Sequence, residues 1–166
     1  MFKKILVPID GSKTSDKALD YALRLAHDGK GQVRLVHCID ELSFLGSHEY
    51  SGELMQIARE NGNRILQSGT ATAKAMGVAA DHVLIDRVAQ RLGDSVADAA
   101  GDWSADLIVI GTHGRRGVER FFVGSVAERL VRKAQTGTRL FSTAFLGGNA
   151  WGWPGGWSQD RIEQVM

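Results

Sequence analysis

Short apolar segments alternate with longer amphipathic ones along most of this chain, and this alternation limits the fold more than any other feature of the sequence. The short segments are rich in β-branched residues, as buried strands are. They occupy residues 2–9, 32–39, 81–86 and 106–110. The longer segments indicate helices, and they occupy residues 18–26, 52–76, 92–103 and 126–134. The sequence therefore predicts strands and helices in strict alternation.

Strands that alternate with helices, and whose apolar runs are nearly continuous, are typical of a parallel sheet covered on both faces. A weaker fifth strand is expected at residues 139–145. We therefore predict an α/β fold, with one doubly wound, mainly parallel five-stranded sheet and helices on both of its faces. Right-handed crossovers place the loops that follow the strands at the carboxyl edge, where such sheets bind ligands.

Three local features predict where the helices begin, end or weaken. Either Ser12 or Thr14 can cap the first helix, because a hydroxyl oxygen there accepts a hydrogen bond from an unpaired N–H group. Gly29 and Gly31 are expected to end that helix. The helix at residues 52–76 is expected to be weakened at residues 61–63, where glycine stands between two asparagines.

Composition excludes several partners. The 166 residues fit one domain, and 20 basic against 19 acidic residues give a net charge of +1. No overall positive field therefore favours nucleic acid or an anionic membrane. No apolar run approaches the roughly 20 residues that a membrane helix needs. The single cysteine, Cys38, cannot form an internal disulfide, which favours a reducing compartment and predicts a cytoplasmic protein.

A glycine-rich segment follows the strand at residues 106–110 and carries the clearest chemical signal. It has the spacing Gly111-x-x-Gly114, nine residues, and then Gly124-Ser125 at the start of a helix. Glycines there let backbone N–H groups approach a phosphate, and a helix N-terminus attracts an anion. Ser125 with Glu128 also fits a capping box, which satisfies the first N–H groups of the helix without any ligand. From the residues alone, both interpretations stay open.

Other motifs are absent from the sequence. It contains no Walker A motif, no G-x-G-x-x-G after the first strand and no G-x-S-x-G. The five histidines show no metal-binding spacing, so no metal site of the protein's own is predicted. No general base or nucleophile can be assigned from spacing, and we predict no catalytic residue.

The glycine spacing resembles the G-x2-G-x9-G-[ST] signature of universal stress proteins. The stretch Ile-Leu-Val-Pro-Ile-Asp-Gly-Ser at residues 5–12 resembles that family's first strand and turn, as residues 105–111 resemble its fourth strand. The resemblance covers residues 1–135 and implies the fold of the adenine-nucleotide α-hydrolase-like group. It also implies ATP, with Mg²⁺, as the ligand.

By that resemblance, the end of the first strand borders the nucleoside, the second-strand backbone faces adenine, and the glycine-rich segment holds the ribose and phosphates. In chain order these positions are Pro8, Ile9 and Asp10, then Val36 and Cys38, and then Gly111, His113, Gly114, Arg115, Gly124, Ser125 and Val126.

Simpler roles compete at several of these positions. Asp10 can support the turn into the first helix, and Pro8 and Val36 can serve strand packing alone. Cys38 is more typical of a small buried apolar residue than of a reactive thiol. His113 and the arginines beside it are equally typical of a solvated loop.

The C-terminal part departs from the family pattern. Gly137 stands where the family usually has proline, and Arg139 and Ser142 interrupt the apolar run of the last strand. In the family that strand often pairs across a dimer, so a homodimer is expected. We assign residues 1–146 to the nucleotide-binding domain and residues 147–166 to a poorly ordered tail rich in glycine and tryptophan.

The resemblance thus implies an ATP-binding regulatory or stress-response module with unidentified protein partners. Two alternatives stay open. The first is a slow ATP hydrolase of the same fold, because a bound triphosphate needs only one positioned water. The second is an interaction module that binds no nucleotide.

Overall fold

The computed structural model describes residues 2–39, 52–86 and 90–111, together with the backbone of a strand at residues 138–141. The predicted loop at residues 40–50, the helix at residues 126–134 and the tail at residues 147–166 lie outside these ranges. The elements, in chain order, are β1 (Lys4–Pro8), α1 (Lys13–Gly29), β2 (Gln32–Cys38), α2 (Gly52–Ala75), β3 (Ala79–Ile85), α3 (Leu92–Asp102), β4 (Leu107–Gly111) and β5 (Thr138–Phe141).

The five strands form one sheet in the order β3-β2-β1-β4-β5, and every neighbouring pair is parallel. The register runs from Lys4 opposite Gln32 to Pro8 opposite Val36 between β1 and β2. Between β1 and β4 it pairs Ile5 with Leu107. The predicted parallel α/β sheet is therefore confirmed, with β5 at one edge.

Two apolar clusters cover the two faces of the sheet. Ile5, Val7 and Leu35 point to the face covered by α1 and α2, where Leu23 and Leu66 are fully buried. On the other face, the sheet residues pack against α3; they are Leu6, Val36, Ile85, Ile108 and Ile110. The alternation of side chains along each strand accounts for this division, because successive residues point to opposite faces. Helices on both faces confirm the doubly wound arrangement.

The start and the end of α1 both agree with the prediction. Ser12 is the N-cap, and its side chain accepts a hydrogen bond from the Ser15 N–H at 3.2 Å. The helix ends at Gly29, but the left-handed residue after it is Lys30, with φ of 49°. Its N–H and that of Gly31 bond to carbonyls of the last turn, which offsets the cost of a non-glycine residue in this conformation.

The sequence predicts a weak point in α2 at residues 61–63, but the helix runs without a break from Gly52 to Ala75. A Cβ at Gly62 would lie 2.7 Å from both His37 Cδ2 and Leu84 Cδ1. Glycine at this position therefore lets the helix approach the sheet closely. That packing offsets the low helix propensity of glycine, which is about 1 kcal/mol less favourable than alanine inside a helix.

Candidate functional site

The carboxyl ends of β2, β1 and β4 lie side by side in the sheet, with β1 in the centre. The chain leaves β1 towards β2 and β3 on one side, and reaches β4 and β5 on the other. This reversal of strand order occurs between β1 and β4, and it opens a crevice outside their carboxyl ends. In this fold class, such a crevice is the expected place for a ligand.

The end of β1 contributes three of the predicted site residues. Pro8 is half-buried in register with Val36, and Ile9 is buried. Asp10 is half-buried, and its Oδ1 accepts a hydrogen bond from the Ser12 N–H at 2.9 Å. Asp10 therefore does support the turn into α1, which is one of the two roles that the sequence allows.

The turn between β1 and α1 is held by a short series of hydrogen bonds. Gly11 has φ of 78°, a conformation that glycine adopts at little cost. The Ser15 hydroxyl, which is buried, donates to the Ser12 carbonyl at 2.9 Å. The Asp10 N–H points to the same hydroxyl oxygen at 3.4 Å. These bonds fix the first turn of α1 against the end of β1.

Gly111 ends β4 and lies against that first turn of α1. A Cβ at Gly111 would lie 2.7 Å from Thr14 Cγ2 and 3.2 Å from the Thr14 carbonyl oxygen. Glycine at this position is therefore required by the packing of β4 on α1. Close approach of a ligand to the backbone would be a second reason for glycine at position 111.

Val36 and Cys38 come from β2. The Val36 side chain is buried in the cluster under α3, and its carbonyl accepts a hydrogen bond from the Ile9 N–H at 2.8 Å. That carbonyl thus serves the pairing of β1 with β2. Cys38 is partly buried and packs against the same cluster, which agrees with a small apolar role.

Six predicted site residues lie outside the described residues, namely His113, Gly114, Arg115, Gly124, Ser125 and Val126. The structure brings the other six, from β1, β2 and β4, to one edge of the sheet. Their contact with a nucleotide stays a prediction.

Sequence reasoning missed His37 at this edge, and it considered Thr14 only as a candidate helix cap. The imidazole of His37 is buried on the α1 and α2 side of β2, and its Nδ1 lies 2.7 Å from the Ile9 carbonyl oxygen. The sequence did contain a signal for His37, because it is a polar residue at a position of β2 that the alternation of side chains directs into the core. Its partner lies 28 positions away, so the sequence did not identify it.

A charge pair with two hydrogen bonds lies on the α3 face, towards the amino ends of the strands. Arg34 donates from Nε to Asp81 Oδ1 at 2.8 Å and from Nη2 to Oδ2 at 2.5 Å. These bonds hold the pKa of the Asp81 carboxyl below its usual value and raise the pKa of Arg34. The Arg34 guanidinium also lies 4.6 Å from the centroid of the Trp103 ring. This cluster joins β2, β3 and the end of α3, away from the crevice.

Two further features of the described residues bear on function. No three His, Cys, Asp or Glu side chains there form a group that could hold a metal ion. None of the described helices is long and apolar enough to cross a membrane.

A parallel five-stranded sheet with helices on both faces, whose strand order reverses beside its central strand, defines the doubly wound α/β class. Within that class, the chain belongs to the universal stress protein family, whose model matches residues 1–137. A universal stress protein of Methanocaldococcus jannaschii is 33% identical over 136 residues, which cover 81% of this chain and 78% of that protein. The resemblance inferred from the sequence motifs is therefore confirmed.

Solved structures agree with this assignment. A protein from the universal stress protein family of Burkholderia pseudomallei is 33% identical, with a TM-score of 0.68 over 84% of this chain and 95% of its own. Two universal stress proteins at 22% identity, each with a TM-score of 0.63, share the fold. One was solved in complex with cAMP and covers 84% of this chain and 97% of its own. The other, from Archaeoglobus fulgidus, was solved with dAMP and covers 83% and 96%.

Proposed function

We propose that this protein binds an adenine nucleotide, ATP with Mg²⁺, in the crevice beyond β1 and β4, and acts as a nucleotide-dependent regulatory protein. The observation that carries the proposal is the convergence of the β1 and β4 carboxyl ends at the point where the strand order reverses. The glycine-rich segment begins at Gly111, at that point. The cAMP and dAMP complexes of two proteins of the same fold support a nucleotide of this class.

The described residues fit the nucleoside part of such a ligand. Half-buried Pro8 and Cys38 offer apolar surface for a base, and Asp10 supplies a carboxylate of the kind that accepts hydrogen bonds from ribose hydroxyls. The phosphates, and Mg²⁺ with them, are assigned by the family motif to Gly114, Gly124, Ser125 and Val126. Mg²⁺ would neutralise part of the phosphate charge.

Energetics indicate that the base must contribute much of the affinity. An anion at a helix N-terminus gains about 0.3–1 kcal/mol when exposed and up to about 2 kcal/mol when partly buried. Micromolar binding needs about 8 kcal/mol. Because phosphate contacts of that kind fall short of this value, we expect recognition of adenine to decide which nucleotide binds.

The test is a calorimetric titration of the purified protein with Mg-ATP and, separately, with Mg-GTP. We expect ATP to bind more tightly, because strand backbone groups would recognise the edge of adenine. Equal affinities would contradict adenine recognition. No heat with either nucleotide at about 100 µM protein, well above a micromolar dissociation constant, would contradict the proposed function. We expect the protein to act in the cytoplasm, where ATP is available and Cys38 stays reduced.

A further inference from the structure

His37 places a hydrogen-bond donor in an otherwise apolar part of the core. Only 7% of the residue is exposed, and its neighbours on the same face of β2 are Val33 and Leu35. Its Nδ1 lies 2.7 Å from the carbonyl oxygen of Ile9. Because a carbonyl oxygen can only accept, Nδ1 carries the proton and donates it. A buried group of this kind is costly unless it is paired, so the bond fixes the position of both partners.

The bond falls where β1 ends. The register between β1 and β2 runs as far as Pro8 opposite Val36, and the Ile9 N–H then donates to the Val36 carbonyl. The Ile9 carbonyl accepts from the imidazole, and the chain turns at Asp10 and Gly11. The side chain of His37 therefore holds the peptide group from which the turn departs.

The imidazole is also confined from the side of α2. A Cβ at Gly62 would lie 2.7 Å from His37 Cδ2, so the helix backbone leaves room for the ring and for little else. The ring thus lies between the end of β1 and the helix, with contacts on both sides. Movement of α2 at this position would be transmitted to the Ile9 carbonyl.

We propose that His37 is a positioning residue of the nucleotide site, an inference that rests on the function proposed above. It acts through the Ile9 carbonyl, and so sets the direction in which Asp10 leaves β1. The position of Asp10 in turn fixes Ser12, because the Ser12 N–H donates to the Asp10 carboxylate. The Ser12 side chain then caps α1. His37 itself does not touch the nucleotide.

The experiment compares three variants by calorimetry with Mg-ATP. His37→Leu removes the donor and keeps a branched side chain, whereas His37→Asn keeps an N–H donor near the position of Nδ1. Leu66→Ala is the control, since it cuts a fully buried side chain of the same cluster and leaves the turn untouched. We expect His37→Leu to weaken ATP binding about tenfold, His37→Asn to restore most of the affinity, and Leu66→Ala to bind as wild type while folded.

A purely structural role would give a different result. The affinity would then follow thermal stability, and Leu66→Ala would weaken binding as much as His37→Leu does. Equal affinities for His37→Leu and wild type would also overturn the proposal. If His37→Leu does not fold, Gly62→Ala displaces the ring from the helix side, and unchanged affinity in that variant would overturn the proposal equally.

A second measurement separates this proposal from the proposed function. Amide hydrogen exchange without ligand reports the order of the turn directly, through the N–H groups of Asp10 and Ser12. We expect about tenfold faster exchange at these two amides in His37→Leu and no local change in Leu66→Ala. If wild type binds no nucleotide but exchange accelerates, the proposed function fails and the positioning role stands. Unchanged exchange means that His37 does not hold the turn.

Discussion

Gly111 is the first residue of the glycine motif and lies within the described part of the chain, at the end of β4. Its absent side chain makes room for Thr14, whose Cγ2 would lie 2.7 Å from a Cβ there. The family motif attributes this glycine to nucleotide binding, and the packing of β4 on α1 supplies an independent reason. Substitution at this residue therefore affects stability even without ligand.

We expect Gly111→Ala to lower the free energy of unfolding by about 1–3 kcal/mol, because overpacking forces Thr14 and its backbone to move. The matched control is Gly101→Ala in α3, where a Cβ would have no neighbour within 4 Å. That variant should be neutral or more stable by up to about 1 kcal/mol. Urea unfolding of the ligand-free protein measures both changes. Equal stability of Gly111→Ala and wild type would mean that the contact with Thr14 is not tight.

The site was only partly predictable at this scale. Ser12 was identified as a cap because its hydroxyl acts on the residues directly after it. The role of Asp10 in the turn was also foreseen, as one of two possible roles, because its partner Ser12 is close in sequence. His37 was missed because its bond to Ile9 and its fit against Gly62 depend on three separate elements coming together.

At the scale of elements, nearly continuous apolar runs located β1, β2 and β4, since a parallel sheet buries both faces of its inner strands. The start of β3 was missed because Ala79 and Ala80 are weak strand formers. The weak point predicted at residues 61–63 does not interrupt α2, because close packing at Gly62 offsets its low helix propensity. Lys30, rather than a glycine, takes the left-handed position after α1, where its N–H and that of Gly31 bond to carbonyls of the last turn.

Arg34 and Asp81 join β2 to β3 as directly opposed residues of the register. The pKa of Asp81 is lowered in the folded protein, so the pair stabilises the fold above the unfolded-state value of about 3.9. This contribution is lost as the pH falls through the lower folded-state pKa. Because the Asp81 side chain is 54% exposed, the whole effect should be about 1 kcal/mol or less.

We therefore expect Asp81→Asn to lower stability by about 0.5–1 kcal/mol at pH 7, with a smaller difference from wild type at about pH 2. Chemical unfolding at the two pH values measures this. Asp20→Asn is the control, because its pair with Arg24 lies exposed on α1, and it should change stability less at pH 7. A difference that is the same at both pH values would contradict an ionic role for Asp81.

At the scale of the whole molecule, the alternation of elements and the handedness of crossovers were enough to predict a doubly wound sheet. They do not determine how the chain associates. β5 lies at the sheet edge beside β4, and an edge strand exposes unpaired backbone groups unless another chain covers it. In the sequence, the stretch at residues 140–145 contains four apolar residues, Leu140, Phe141, Ala144 and Phe145.

We expect a homodimer that needs β5 but not the tail. Truncation after Leu146 should leave the dimer intact, whereas truncation after Thr136 removes β5 and should give monomer or aggregate. Light scattering of the two truncated proteins and of the full chain distinguishes these states. A monomer after the Leu146 truncation would show that the tail forms the interface.

Nucleotide binding through the glycine-rich segment can be decided by titrating Mg-ATP into wild type and Gly124→Val in a calorimeter. Ser125→Ala serves as the milder comparison, since it would remove the cap predicted from the sequence, worth about 1 kcal/mol, and adds no bulk. We expect micromolar binding by wild type, weaker but measurable binding by Ser125→Ala, and no binding by folded Gly124→Val. Wild-type affinity in Gly124→Val would rule out phosphate binding at this position and would leave the segment as a turn and helix cap alone.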